Sequence, residues 1–328
     1  MIDRSAPGVW RYRSQIRLPP DWPALSLGEG DAPWLRLRSG PWVACAQLEP
    51  TFSFKARGAA VLIAWARHAL LPPLIEDSSG NAGAAMAAYA AAAGIPCRIY
   101  VPAAAPVAKR HQLAVMGAEL VPVAGPRPRA TVAAQQDAEG SYCSHAWNPL
   151  FIEGIKTLAF EWWEQQRGWL PHRIWVPAGQ GSLVLGLSHG FGELRQVLAG
   201  RQTPAIMAVQ HHSLAPLRGN GMEGPNRGDV SGGTMKRSRD EGGAPTLADG
   251  IAIPDPVRKR AVQQAVRESG GKVLTVDDEA IHKALAELAD NGFWVEPTAA
   301  VGMAAHRQFA GGDDDLVVLT GHGLKSAL

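Results

Sequence analysis

Two hydrophobic periods alternate along most of the chain. Short apolar runs at residues 74–77, 97–101, 119–123, 173–177, 205–210, 272–276 and 316–319 have the length and composition of buried strands. Between them lie stretches with helical spacing: 57–70, an alanine-rich segment to about Ala93 that Gly94 stops, 107–116, and a segment from Thr131 into 135–137. Further helical stretches follow at 151–166, after Ser182, and at 257–269, 277–291 and 297–309. Strands separated by helices predict an α/β fold with parallel-rich sheets flanked by helices. The first 48 residues are less regular. They read as an arm, a glycine-rich turn Leu27-Gly28-Glu29-Gly30-Asp31-Ala32-Pro33, and extended pieces at 34–38 and 42–47. Residues 219–244, rich in Gly, Asn, Asp, Ser and Arg without periodicity, predict a mobile surface insertion.

Length and charge narrow the function. At 328 residues the chain suits two lobes better than one core. A formal net charge of +2 gives no case for nucleic acid or a membrane surface, and no apolar stretch is long enough to span a bilayer. Arg11, Arg13 and Arg17 form a short interrupted cluster that reads as solvated or partner-facing. Cys45, Cys97 and Cys143 are odd in number and lack ligand spacing, which argues for reduced thiols in a cytoplasmic protein and against a disulfide scaffold or a metal site. No signal peptide is visible at the start.

The candidate chemistry centres on Pro50-Thr51-Phe52-Ser53-Phe54-Lys55-Ala56-Arg57-Gly58, where one lysine stands between phenylalanines at a helix start with Ser53 as the expected N-cap. Apolar flanks, the helix dipole and the charge of Arg57 would all lower its pKa, and a partly neutral amine is what Schiff-base chemistry needs. An isolated lysine in such a place is ordinarily a solvated first-turn residue, so the other motifs decide. Ser78-Ser79-Gly80-Asn81-Ala82-Gly83 is a strand-to-helix turn able to hold a carboxylate, or simply to cap a helix. Ala178-Gly179-Gln180-Gly181-Ser182 opens another helix and offers converging amides to an anion. It lacks the third glycine of a dinucleotide fingerprint and the Gly-Lys-Ser/Thr of a P-loop, which leaves a small phosphate holder. Thr320-Gly321-His322-Gly323 follows the last strand, where α/β ligands bind, and is equally a glycine turn closing the sheet.

In order, Ser53-Phe54-Lys55-x-Arg57-Gly58, Ser79-Gly80-Asn81-Ala82-Gly83, the Gly179–Ser182 loop, Glu296-Pro297-Thr298 and Thr320-Gly321-His322-Gly323-Leu324-Lys325 resemble the fold type II pyridoxal-phosphate enzymes, and within them the threonine synthase family. Leu27-Gly28-Glu29-Gly30 and Asn148-Pro149 before Ile152-Glu153-Gly154 also look like that family. The resemblance implies a larger cofactor-binding lobe of residues 1–55 and 148–328 and a smaller mobile lobe of 56–147. It implies pyridoxal 5'-phosphate carried covalently by Lys55, which then serves as base at the substrate α-carbon. The backbone of Gly179, Gln180, Gly181, Ser182 and Leu183 would cradle the cofactor phosphate. Asn81 would meet the ring hydroxyl oxygen and Thr320 the ring nitrogen, with Glu296 behind them near the ring. Ser78, Ser79 and Gly80 would grip the substrate carboxylate, and Asn148 and Phe151 would line the substrate site. A homodimer is also implied.

The reaction implied is conversion of the amino acid O-phosphohomoserine to threonine and phosphate. Five positions depart from the family pattern: Ala56 stands for an aspartate, Asp31-Ala32 for Asn-Thr, Phe151 for a phosphate-binding arginine and Ile155 for a glutamine. They leave the cofactor chemistry intact and open the choice of substrate. A serine or threonine ammonia-lyase or a β-replacement enzyme is the alternative on this scaffold, and a catalytically weak cofactor-binding homologue is a third reading.

Overall fold

The computed structural model describes residues 2–38, 40–78, 80–105, 107–198, 202–218 and 246–325, with only the backbone at 108 and 109. The insertion expected at 219–244 lies outside the described residues. In chain order the elements are β1 (Trp34–Arg36), β2 (Trp42–Ala44), α1 (Lys55–His68), β3 (Leu74–Glu76), α2 (Asn81–Ala93), β4 (Cys97–Pro102) and α3 (Val107–Val115). Then come β5 (Glu119–Val123), α4 (Arg127–Gln136), β6 (Ser141–Tyr142), α5 (Pro149–Ile155), α6 (Thr157–Gln165), β7 (Arg173–Pro177) and α7 (Ser182–Leu194). The chain ends with β8 (Ala205–His211), α8 (Lys259–Glu268), β9 (Lys272–Val276), α9 (Asp278–Asp290), α10 (Pro297–Gln308) and β10 (Leu316–Val318).

The strands form two sheets, in the orders β1-β2-β10-β7-β8-β9 and β5-β4-β3-β6. Every pairing is parallel except β1 with β2. The pleat explains why the central strands read as unbroken apolar runs. On β7, Ile174 and Val176 face one core while Trp175 faces the other, and on β10 Leu316 and Val318 are divided from Val317 in the same way. The first core lies among α1, α2, α5, α6 and α7 and joins the two sheets, and the second is covered by α9 and α10. Glycine sets the crossing of α1 over α5, since a Cβ on Gly58 would sit 2.6 Å from the Phe151 ring.

Several elements differ from the sequence reading. The stretch 151–166 is two helices that meet at Lys156, whose amine is buried and bonded to Glu153 (2.7 Å) and Glu193 (2.9 Å). The helix expected from Thr131 begins at Arg127, with Pro128 in its first turn, where proline's fixed φ suits a helix start and its missing N–H costs nothing. Strand β6 is two half-buried polar-tipped residues, too short to show a period. The arginines of the arm are not simply solvated. Arg11 bonds Asp31 (2.7 Å) and Glu164 (3.1 Å), Arg13 lies over the Trp10 ring, and Arg17 is the exposed one.

The three cysteines are buried and unpaired. Burial pushes the Cys45 thiol up to about 11, and the Cys97 and Cys143 thiols to about 12. No described helix is long and apolar enough to cross a membrane.

Candidate active site

Lys55 is the first residue of α1. It is reached through a turn in which both Thr51 (φ +59°) and Phe52 (φ +57°) are left-handed, a strained backbone that persists only where neighbours hold it. The neighbours here are the residues after β10. The Phe54 amide donates to the Thr320 carbonyl (3.3 Å), and the His322 amide donates to the Phe52 carbonyl (3.1 Å). The start of α1 and the end of the large sheet are thereby fixed to one another. The residue preceding α1 is Phe54, not the expected Ser53, and no side chain caps the helix; the Ser53 hydroxyl only accepts from the Lys55 amide at 3.4 Å.

Burial pushes the Lys55 amine down to about 8, with Arg127 pressing the same way and Glu296 and Glu76 opposing. The cation expected to act on it was Arg57. Arg57 instead points into the core, where its fully buried guanidinium bonds Glu49 (2.6 Å) and Glu161 (2.7 Å) and neutralises itself. Lys55 also stands 4.3 Å over the Phe54 ring.

The cavity around Lys55 opens at the carboxyl ends of β3, β7 and β10, where a parallel sheet presents its loops. Lys55, Ser78, Gly80 and Asn81 line one side; Gly179, Gln180, Gly181, Ser182 and Leu183 line another; Glu296 and Thr320 complete the floor. Ser79 lies outside the described residues. Glycine is required in the α7 loop on structural grounds. Gly181 has φ +84°, and a Cβ on Gly179 would lie 2.9 Å from the Gly250 carbonyl. Asn81 donates its side-chain N–H to Glu296 Oε1 (2.8 Å), and desolvation raises the Glu296 pKa.

Two expected substrate residues lie elsewhere. Phe151 is fully buried in the first core, edge-on to His145 and against Gly58, because α5 crosses α1 there. Asn148 caps α5 by accepting from the Leu150 amide (3.0 Å). Neither is among the residues that line the cavity. Conversely, Gln112, Arg127 and His145 line the cavity and were not singled out in the sequence. His145 is held by Glu76, which takes both its ring Nδ1 (2.9 Å) and its amide (3.0 Å). No sequence signal reaches these three, since their meeting depends on how α3, α4 and the 143–148 turn pack around β3.

The donor set suits pyridoxal 5'-phosphate. Thr320 Oγ1 is buried without a partner among the described residues, as an atom awaiting a ring nitrogen would be. The first amides of α7 have no carbonyl within their own helix and sit at its positive end beside the cavity. Lys55, its pKa depressed, lines the same cavity as these two features.

The comparisons agree. The family described as pyridoxal-phosphate dependent enzyme matches residues 25–321. The chain belongs to that family. It is 29% identical to the threonine synthase of Methanosarcina acetivorans over 99% of this chain and 82% of that protein. It is 30% identical to the threonine synthase of Halalkalibacterium halodurans over 96% of this chain and 88% of that protein. A solved structure of the processed form of threonine deaminase isoform 2 from Solanum lycopersicum superposes with a TM-score of 0.72 at 19% identity, covering 97% of this chain and 86% of that one, a likeness of fold. The protein is a pyridoxal-phosphate-dependent lyase of threonine synthase type.

Proposed function

We propose that this lyase converts O-phosphohomoserine and water to threonine and phosphate, the phosphate leaving from the γ-carbon and water adding at the β-carbon. The observation that carries the reading is the partly neutral Lys55 amine sharing one cavity with an anion-receptive helix start and with a Thr320 hydroxyl that has no partner among the described residues. Pyridoxal 5'-phosphate, when bound, supplies an electron sink for negative charge at the substrate α-carbon. Gly179, Gln180, Gly181, Ser182 and Leu183 would hold its phosphate by their amides, Asn81 its ring hydroxyl oxygen and Thr320 its ring nitrogen. Ser78, Ser79 and Gly80 would orient the substrate carboxylate. Lys55 would act as the base that takes the substrate α-proton and would hand it back further along the substrate chain. A hydroxyl at the ring nitrogen does not force that nitrogen to be protonated, so the sink stays weak and loss of a leaving group is favoured over amino-group transfer.

The smaller lobe, 56–147, is taken to move against 1–55 and 148–328, with Asn81 on the moving side and Glu296 on the other. A cytoplasmic homodimer is the assembly and location proposed, supported by the buried, unpaired thiols for the compartment and by the resemblance for the dimer. The deciding experiment supplies purified holoenzyme with O-phosphohomoserine, serine and threonine and follows phosphate, threonine and 2-oxo acid. Phosphate and threonine in equal amounts support the reading. A 2-oxo acid from serine or threonine, with no phosphate released, replaces it with an ammonia-lyase. A coloured protein inert on all three leaves a cofactor-binding homologue.

A further inference from the structure

We propose that Arg127 binds a second, distal anionic group of the amino-acid substrate and so sets the specificity of this enzyme. This rests on the cavity being an amino-acid site. Arg127 opens α4, lines the cavity with Lys55, and is partly exposed there. None of the described ion pairs engages it, whereas Arg98 on the neighbouring strand is tied to Glu119, Asp137 and Glu139. Of the carboxylates at or near the cavity, Glu76 takes His145, Glu296 takes Asn81, and Asp249 lines the cavity from the segment before α8, with no described ion pair to Arg127. A cation in the first turn works against the helix dipole, so the helix itself gives no reason for an arginine at this position.

The fold fixes where this guanidinium acts. Thr131 lies one turn further along α4, on the same face as Arg127, and its hydroxyl donates to Asp77 Oδ2 at 2.5 Å. Asp77 also accepts from Ser144 (3.0 Å) and Tyr142 (3.2 Å), and it is the residue immediately before Ser78. This hub holds the Arg127 face of α4 over the Ser78 turn, whereas the α7 amides belong to the loop after β7 in the other sheet. The α7 amides are then available to the cofactor phosphate, the Ser78 turn to the α-carboxylate, and Arg127 to a further anionic group. Lys325, the other lining cation besides Lys55, lies after β10 and favours the charged form of Glu296. With Phe151 buried in the core, the cation for a distal group comes from α4 instead of α5. Arginine suits a phosphate ester or a carboxylate, both of which it can grip with two N–H groups.

The test uses holoenzyme and three homoserine esters whose distal groups differ in charge and chemistry, each compared between parent and variant: O-phosphohomoserine, O-succinylhomoserine and O-acetylhomoserine. Arg127→Gln is expected to lower kcat/KM for the anionic substrate by about ten- to a hundred-fold, mostly through KM, and to change the acetyl ester less than about threefold. Arg127→Lys should recover part of the loss. A loss confined to the phosphate ester identifies phosphate, and one confined to the succinyl ester identifies a carboxylate. Equal losses on all three substrates, or none, overturn the assignment. If the parent turns over none of them, the functional reading fails separately. Arg127 is then judged by titrating the cofactor absorbance with O-phosphohomoserine and with homoserine. A roughly tenfold weakening by Arg127→Gln of the first alone keeps the distal site, and equal affinities in parent and variant remove it.

Discussion

Asn81 at the head of α2 and Glu296 ahead of α10 are joined by a 2.8 Å hydrogen bond, which ties the turn after β3 to the loop entering α10. Both residues line the cavity with Lys55, and the Glu296 carboxylate supports the charged form of that amine. Glu296→Gln keeps an acceptor for Asn81 but removes the negative charge. The Lys55 pKa should then fall further below about 8. Reaction of cofactor-free protein with a small aldehyde, followed against pH, should show its midpoint move to lower pH in the variant. An unchanged midpoint would mean Glu296 is neutral beside the lysine.

In the parent, that aldehyde reaction at Lys55 should rise with pH and level off above about 8, while the exposed, raised Lys283 continues to gain reactivity well beyond that. The same shift affects stability. The folded pKa lies below the ordinary 10.5, so between about 8 and 10.5 the unfolded chain binds more protons at this group. The destabilisation due to Lys55 is fully present below about 8 and is relieved as pH rises through that window. Lys55→Ala should remove it, abolish turnover, and abolish the borohydride-reducible attachment of cofactor. Peptide mapping that finds the reduced cofactor on another lysine would refute the role.

The α7 loop separates folding from binding. Gly181→Ala forces a side chain into a left-handed conformation against Val262, so cofactor-free stability should fall by at least about 1–2 kcal/mol. Ser182→Asp instead places a carboxylate at the start of α7, where the helix dipole favours it. Cofactor-free stability should hold or rise slightly while cofactor affinity drops by tenfold or more. Urea melts of both variants, with and without cofactor, distinguish these outcomes. Undiminished affinity in Ser182→Asp would place the cofactor phosphate elsewhere.

Arg57 carries a structural load two residues from the catalytic amine. Its guanidinium bonds Glu49, Glu161 and the Thr157 hydroxyl (3.2 Å) with no exposure. Arg57→Leu leaves two buried carboxylates without their cation and should cost about 3–5 kcal/mol. Denaturant unfolding of the cofactor-free protein measures this, and a loss under about 1 kcal/mol would show the acids relaxing to water. Phe151→Arg should be similarly harmful, since it puts a cation into the core between Gly58 and His145.

Much of this was legible in the sequence because it is local. Short apolar runs marked most strands and the 3.6 period most helices, and the glycine turns after β3, β7 and β10 announced the mouth of the cavity by their position at strand ends. Phe151 was misread because sequence order cannot say which face of α5 meets α1. That is decided by Gly58, nearly a hundred positions earlier, allowing the aromatic ring to approach. Arg57 was misassigned for a similar reason. Its partners Glu49 and Glu161 come from distant segments and turn its charge away from the lysine two residues before it. Arg127, Gln112 and His145 carry no motif and reach the cavity only through tertiary packing.

The three hidden thiols make the protein its own gauge of local opening. Cys45 follows β2 in the larger sheet, while Cys97 begins β4 and Cys143 follows β6 in the smaller one. Raised pKa values and burial keep all three inert toward alkylating reagents near neutrality, so each can be labelled only when its surroundings part. The relative labelling rates, read by mass at each site, therefore report whether the two sheets unfold together or one releases its sulfur first. Cofactor or substrate that clamps the sheets should slow Cys97 and Cys143 in step.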